Sequence, residues 1–166
     1  MLENIGIGGK ELRLIKNLYW QQEATVKVGS EQTDMFLIKR GVRQGCVMSP
    51  DFFNLYGEMI MREIKHTEGA NIGGYNINNI RYADDSVLIA DTVEKLQQLV
   101  NTVEEASEQN GLKINVKKTE VLVISKSENV PRIRITSRNN IIKQVDNFKY
   151  LGSTITEDGR STSRLP

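Results

Sequence analysis

A single cysteine, Cys46, excludes an internal disulfide in this chain of 166 residues, and a single histidine, His66, excludes a zinc site of the Cys/His kind. Apolar runs are short: Val121–Ile124 is among the longest and is far below the length that crosses a bilayer. No basic segment followed by an apolar stretch opens the sequence, so a secretory signal is not expected. Internal repeats and low-complexity tracts are also missing. The natural expectation is a reducing intracellular compartment, nuclear or cytoplasmic, with no membrane partner.

What is present fits a globular protein. Hydrophobic residues make up 39% and charged residues 26%, enough for about one domain with one modest core. The net charge of +1 gives no sign of nucleic-acid binding, but its distribution is uneven. Residues 1–112 hold 11 Lys/Arg against 16 Asp/Glu, whereas residues 113–166 hold 11 against 5. A basic C-terminal third could follow a phosphate backbone, or could be no more than a solvated surface.

Periodicity supplies the elements. Leu12, Ile15, Leu18 and Tyr19 predict a helix over Glu11–Gln21. Thr25–Val28 and Thr33–Ile38 read as strands joined at Gly29-Ser30. Pro50 suits the first turn of a second helix with Ser49 as its cap, and Phe52, Phe53, Leu55, Met59 and Ile60 feed a core. The Gly- and Asn-rich stretch Asn71–Asn79 reads as loop. A third helix over residues 93–109 carries a stripe from Val93 to Ala106, with Asp91 as cap, Glu94 completing a capping box and Asn110-Gly111 as its stop. Leu112–Val116, Thr119–Ile124, Arg132–Thr136 and Phe148–Ile155 read as strands, and the tail from Asp158 to Pro166 as loose. The late strands lie too close together for helical crossovers, so the fold class is α+β.

Asp84-Asp85 stands between two brief apolar runs, Ile80–Ala83 and Val87–Ala90. A hairpin turn there places both carboxylates at one edge of a sheet. Adjacent carboxylates repel, and each makes the other costlier to ionise unless a cation sits between them. A divalent ion with oxygen ligands resolves the conflict, and Mg²⁺ bridging to substrate phosphates is the usual case. Taken alone, the pair is better explained by a polar surface turn.

The surroundings are more specific. Tyr82-Ala83-Asp84-Asp85 resembles the YxDD signature of reverse transcriptases. Gly41-Val42-Arg43-Gln44-Gly45-Cys46-Val47-Met48-Ser49-Pro50 looks like the loop and helix upstream of it in that family. Gly111-Leu112-Lys113-Ile114-Asn115-Val116-Lys117-Lys118-Thr119 is similar to the family's GLxxNxxKT segment, and Phe148-Lys149-Tyr150-Leu151-Gly152 to the hairpin that follows. The four motifs keep the family's order over about Leu2 to Ile155. The YADD core and the GVRQGCxxSP wording resemble retrotransposons of the non-LTR type, with group II intron reverse transcriptases as relatives.

The resemblance implies a partial, palm-like antiparallel sheet with helices on one face over residues 1–157, followed by a tail over 158–166. It implies an RNA-directed DNA polymerase that uses a pair of metal ions, Mg²⁺ or Mn²⁺, to join deoxynucleotide triphosphates to the 3′-hydroxyl of a DNA primer on an RNA template. Asp84 and Asp85 match the metal ligands, and Lys118 the lysine that protonates or neutralises pyrophosphate. Arg43, Gln44, Gly45 and Tyr82 match positions bordering nucleotide and template. Phe148, Tyr150, Leu151 and Gly152 match the primer support. Arg43 and Lys118 also read as solvated surface residues, and Phe148 and Leu151 as core.

The family carries a further catalytic aspartate on a strand upstream, and nothing before Gly41 resembles it. Fingers and thumb are not matched either. The isolated chain is therefore expected to be inactive, with a non-catalytic retroelement remnant that at most binds nucleic acid as the alternative. Gly6-Ile7-Gly8-Gly9-Lys10 has the wrong spacing for a phosphate loop and reads as a helix-start turn. Cys46 reads as a small partly buried residue, and His66 as surface.

Overall fold

The computed structural model describes residues 2–39, 41–127 and 129–163, without the side chains of residues 162 and 163. Two compact units are present, Met1–Leu55 and Tyr56–Pro166. None of the described helices is long and apolar enough to cross a membrane.

The first unit opens with a 3-10 turn, Glu3–Ile5, and helix α1, Gly9–Tyr19, two residues earlier than its periodicity suggests. Ile15 is the one buried apolar side chain among the unit's described residues. Four short strands follow: β1 (Glu23–Ala24), β2 (Lys27–Val28), β3 (Glu31–Gln32) and β4 (Phe36–Leu37). They form the expected hairpin, β2 pairing with β3 across Gly29-Ser30 and β1 with β4. Ala24 pairs with Phe36 but Lys27 with Gln32, so the returning side holds one extra residue, a bulge. Helix α2, Ser49–Arg62, begins here and ends in the second unit.

Ser49 does not act as the expected cap. Its hydroxyl donates to the Arg43 carbonyl at 2.6 Å and lies 3.1 Å from the Tyr19 hydroxyl, so it fastens the preceding loop to α1. The Phe52 ring meets Tyr19 edge-on, with centroids 5.2 Å apart.

In the second unit, Asn71–Asn79 is not a loop. It contributes to a hairpin of β5 (Ala70–Ile72) and β6 (Tyr75–Ile77), and Asn79 opens β7 (Asn79–Tyr82). Gly73 and Gly74 both have positive φ, 59° and 86°, as a type I′ turn requires, and the asparagines hide the alternation of Ile72, Tyr75 and Ile77. Strand β8, Asp85–Leu88, pairs with β7, and α3, Val93–Gln109, follows.

Thr92 caps α3 in place of the expected Asp91: its side chain accepts from the Lys95 amide at 3.2 Å. Asp91 instead pairs with the Lys95 ammonium at 2.9 Å. The helix stops where expected, since the Gly111 and Leu112 amides bond back to the Glu108 and Ser107 carbonyls in a Schellman arrangement.

Beyond α3 the strands are shorter than the sequence suggests. Leu112–Val116 forms none, because the Asn115 carbonyl accepts from the Lys118 and Thr119 amides and turns the chain. Strand β9 is Glu120–Leu122. Only Thr136 of Arg132–Thr136 joins a strand, β10 (Thr136–Ser137), paired with β11 (Asn140–Ile141). The Ile133 amide bonds instead to the Gln144 side chain. Strand β12, Lys143–Val145, runs parallel to β9. The hairpin β10–β11 lies within that crossover where a helix is usual. Strands β13 (Asn147–Tyr150) and β14 (Ser153–Thr156) form the expected hairpin.

The expected loose tail is paired as far as it is described, since β15, Ser161–Ser163, adds to β14. Residues 164–166 lie outside the described residues. The class is α+β, with several small sheets, antiparallel except for β9–β12.

Helix α3 is the spine of the core. Leu99, Val103 and Ala106 bury with Ile60 and Ile64, while Val100 buries with Val121, Ile135 and Ile142. Leu88 of β8 touches both clusters. Burying each of Ile64 and Leu99 fully contributes roughly 2 kcal/mol. This packing seats the β7–β8 hairpin.

Candidate active site

The acidic pair sits at the tip of the β7–β8 hairpin. Ile80 pairs with Val87, Arg81 with Ser86 and Tyr82 with Asp85, which leaves Ala83-Asp84 as a two-residue turn. Ala83 has φ 51°, a left-handed conformation that costs an L-residue about 1 kcal/mol or more. Opposed residues share a face, so Leu88, Ser86 and Arg81 lie on one side and Val87, Asp85, Ile80 and Tyr82 on the other. Leu88 turns its side to the core. The other side leaves Ile80 and Tyr82 exposed.

Asp84 and Asp85 are both exposed, and among the described residues neither takes part in an ion pair. Their neighbour Arg81 turns away, its guanidinium 2.6 Å from Glu58 of α2. Glu58 also faces Arg62 at 3.5 Å. The Arg81 bond, more than the Arg62 one, holds the Glu58 carboxyl below its usual range.

Two neighbouring carboxylates form a hard, oxygen-only donor set. Mg²⁺ is commonly held by one or two carboxylates, with water and substrate phosphate completing its shell, so Asp84 and Asp85 fit it. Among the described residues no group of three His, Cys, Asp or Glu side chains is placed to hold a metal.

The remaining expected site residues lie on other elements. Arg43, Gln44 and Gly45 belong to the first unit, in the loop before α2; the first two are exposed, and Gly45 has φ 79°. In that loop the Tyr19 hydroxyl donates to the Cys46 sulfur at 3.0 Å, pushing the thiol's pKa down and the phenol's up. Lys118 is exposed on the turn that follows α3. Phe148 and Tyr150 share one face of β13, partly buried, with ring centroids 6.5 Å apart, and Leu151-Gly152 forms the tight turn beyond them. The Tyr150 hydroxyl is buried with no hydrogen-bond partner among the described residues.

Sequence reading overlooked Glu58 and Arg81. The available signal was an arginine directly before the Tyr-Ala-Asp-Asp run, with a glutamate on the helix that shares its core.

Comparison with known proteins agrees with the motifs. The reverse transcriptase (RNA-dependent DNA polymerase) family matches residues 2–155. A retrovirus-related Pol polyprotein from the type-1 retrotransposable element R2 of Nasonia vitripennis is 33% identical over 68% of this chain and 12% of its own length. That of the type-2 element R2DM of Drosophila melanogaster is 29% identical over 88% and 15%, and an R2 polyprotein of Popillia japonica 29% identical over 91% and 23%. The chain therefore spans less than a quarter of the length of these relatives. It belongs to the reverse transcriptase family, that of RNA-directed DNA polymerases, and its R2 relatives agree with the expected non-LTR retrotransposon type.

Proposed function

We propose that the chain is the palm of an RNA-directed DNA polymerase in which Asp84 and Asp85 hold Mg²⁺, or Mn²⁺ in its place. The observation that carries this reading is the pair of exposed carboxylates, without ion pairs among the described residues, at the tip of a hairpin whose opposite face is seated in the core. When bound, the ion would activate a primer 3′-hydroxyl and neutralise charge on the leaving pyrophosphate. The chain's own residues position the reactants. Tyr82 and Ile80 give the outer face an apolar surface beside the carboxylates, and Gly45 lets substrate approach the backbone closely. Lys118 supplies a proton or positive charge to pyrophosphate. Phe148, Tyr150, Leu151 and Gly152 support the primer end.

The partners are an RNA template, a DNA primer, deoxynucleotide triphosphates, and fingers and thumb segments of a longer polypeptide. Two carboxylates are fewer ligands than a metal pair needs, which supports the reading that this chain alone is inactive and keeps the non-catalytic remnant in view. Primer extension on an RNA template tests both. The chain alone should give no product. Joined to an upstream reverse transcriptase segment it should extend the primer, and Asp84→Asn should lower that rate by about 10³-fold, since several kcal/mol of charge stabilisation go with the metal. Extension that survives Asp84→Asn refutes the assignment. A joined protein that folds and binds RNA without extending favours the remnant.

A further inference from the structure

The Glu58–Arg81 pair has a geometry that bears on the acidic turn. Arg81 stands three residues before Asp84 and directly opposite Ser86, the residue after Asp85. A long, permanently charged side chain there projects from the face opposite Asp85 but has the reach to meet Asp84 around the turn. It does not. Its guanidinium stays on the face that it shares with Leu88, bonded to Glu58, which is anchored two residues before the buried Ile60.

We propose that Glu58 is a positioning residue that sequesters Arg81 on the α2 side of the hairpin and so leaves Asp84 and Asp85 available to a divalent cation. This rests on the reading that those carboxylates bind such a cation. The physical reason is competition. An unpaired guanidinium within reach of Asp84 is an intramolecular counter-ion at high effective concentration, and a cation that binds Asp84 must first displace it. Glu58 removes that competitor. The same bond tethers the hairpin about two residues, roughly 7 Å, beyond the apolar seat at Leu88.

A purely structural ion pair and a sequestering one differ in their response to a second substitution. Loss of Glu58 frees Arg81, whereas loss of both leaves no competitor. Mn²⁺ alone is the probe: it is titrated into the purified chain and free ion is read by electron paramagnetic resonance, with far-ultraviolet circular dichroism recording the fold of each variant. The wild-type chain should bind Mn²⁺, and Asp84→Asn should abolish that binding. Glu58→Gln should weaken it about tenfold, and Glu58→Gln with Arg81→Gln should restore it to within about threefold of wild type. Arg81→Gln alone should bind at least as well as wild type. If wild type and Asp84→Asn bind alike, the cation reading itself fails. If binding depends on Asp84 but Glu58→Gln leaves it unchanged, or the double variant is no better than Glu58→Gln, the sequestration proposal is overturned and the cation reading stands. Both residues are partly exposed, so the substitutions leave no buried charge behind.

Discussion

The buried side-chain amide of Asn78 donates to the Ile64 carbonyl at 2.6 Å and to the Thr67 carbonyl at 2.8 Å. Its own backbone carbonyl accepts from the Ile89 amide at 2.9 Å. One residue thus bonds the segment after α2 to the root of the hairpin that carries Asp84. Gly69 makes this possible, since a Cβ there would lie 2.5 Å from the Asn78 Cα.

Asn78→Ala should therefore destabilise the chain by about 2 kcal/mol, because it removes two hydrogen bonds of about 1 kcal/mol each, while the Thr67 amide still serves the Ile64 carbonyl and the Asn76 side chain the Thr67 carbonyl. Urea unfolding followed by circular dichroism measures this. A change below about 0.5 kcal/mol would mean that water replaces the amide and that the clasp is not structural.

The Tyr19–Cys46 contact predicts a pH effect. Tyr19 stabilises the thiolate by donating to it, so Cys46 ionises at lower pH than an ordinary thiol. Tyr19→Phe removes that donor. The midpoint of the pH profile for Cys46 alkylation should move upward, and alkylation at neutral pH should slow. An unmoved midpoint would show that the backbone amides, not the phenol, set the thiol's acidity.

The site was more legible in the sequence than the small sheets were. Tyr82-Ala83-Asp84-Asp85 is a contiguous run whose turn is fixed by its own two-residue length, and α3 declared itself by its apolar stripe. Asn71–Asn79 reads as loop because its Gly and Asn content masks the alternation of Ile72, Tyr75 and Ile77 around two glycines. Leu112–Val116 failed because a strand also needs a partner: Asn115 turns the chain first, and Ile114 serves the core without pairing. The Arg81–Glu58 bond joins residues 23 apart, a relation that no local pattern encodes.

Lys118→Ala in an extension-competent longer protein should lower the rate of the chemical step by about 10²-fold with little change in template affinity. The residue is exposed on a turn held by main-chain bonds to Asn115, so its truncation should leave the fold intact. Single-turnover kinetics separate the two quantities. A rate within about threefold of wild type would assign Lys118 to solvent.

In the first unit apolar side chains crowd the surface. Val28 is 73% exposed, Met35 67% and Leu37 53%, with Val26, Phe36 and Ile38 beside them on the same hairpin. Its strands are two residues long and bury no side chain of their own, so little opposes their pairing with another copy. Exposed apolar side chains in such number on one hairpin mark a surface that associates. The purified chain should bind a hydrophobic dye and self-associate at micromolar concentration, as read by sedimentation velocity. Val28→Lys with Leu37→Lys should reduce both effects without lowering stability, since neither residue packs in the core. A monomer that binds no dye and melts in one sharp transition would show that this hairpin covers itself in solution.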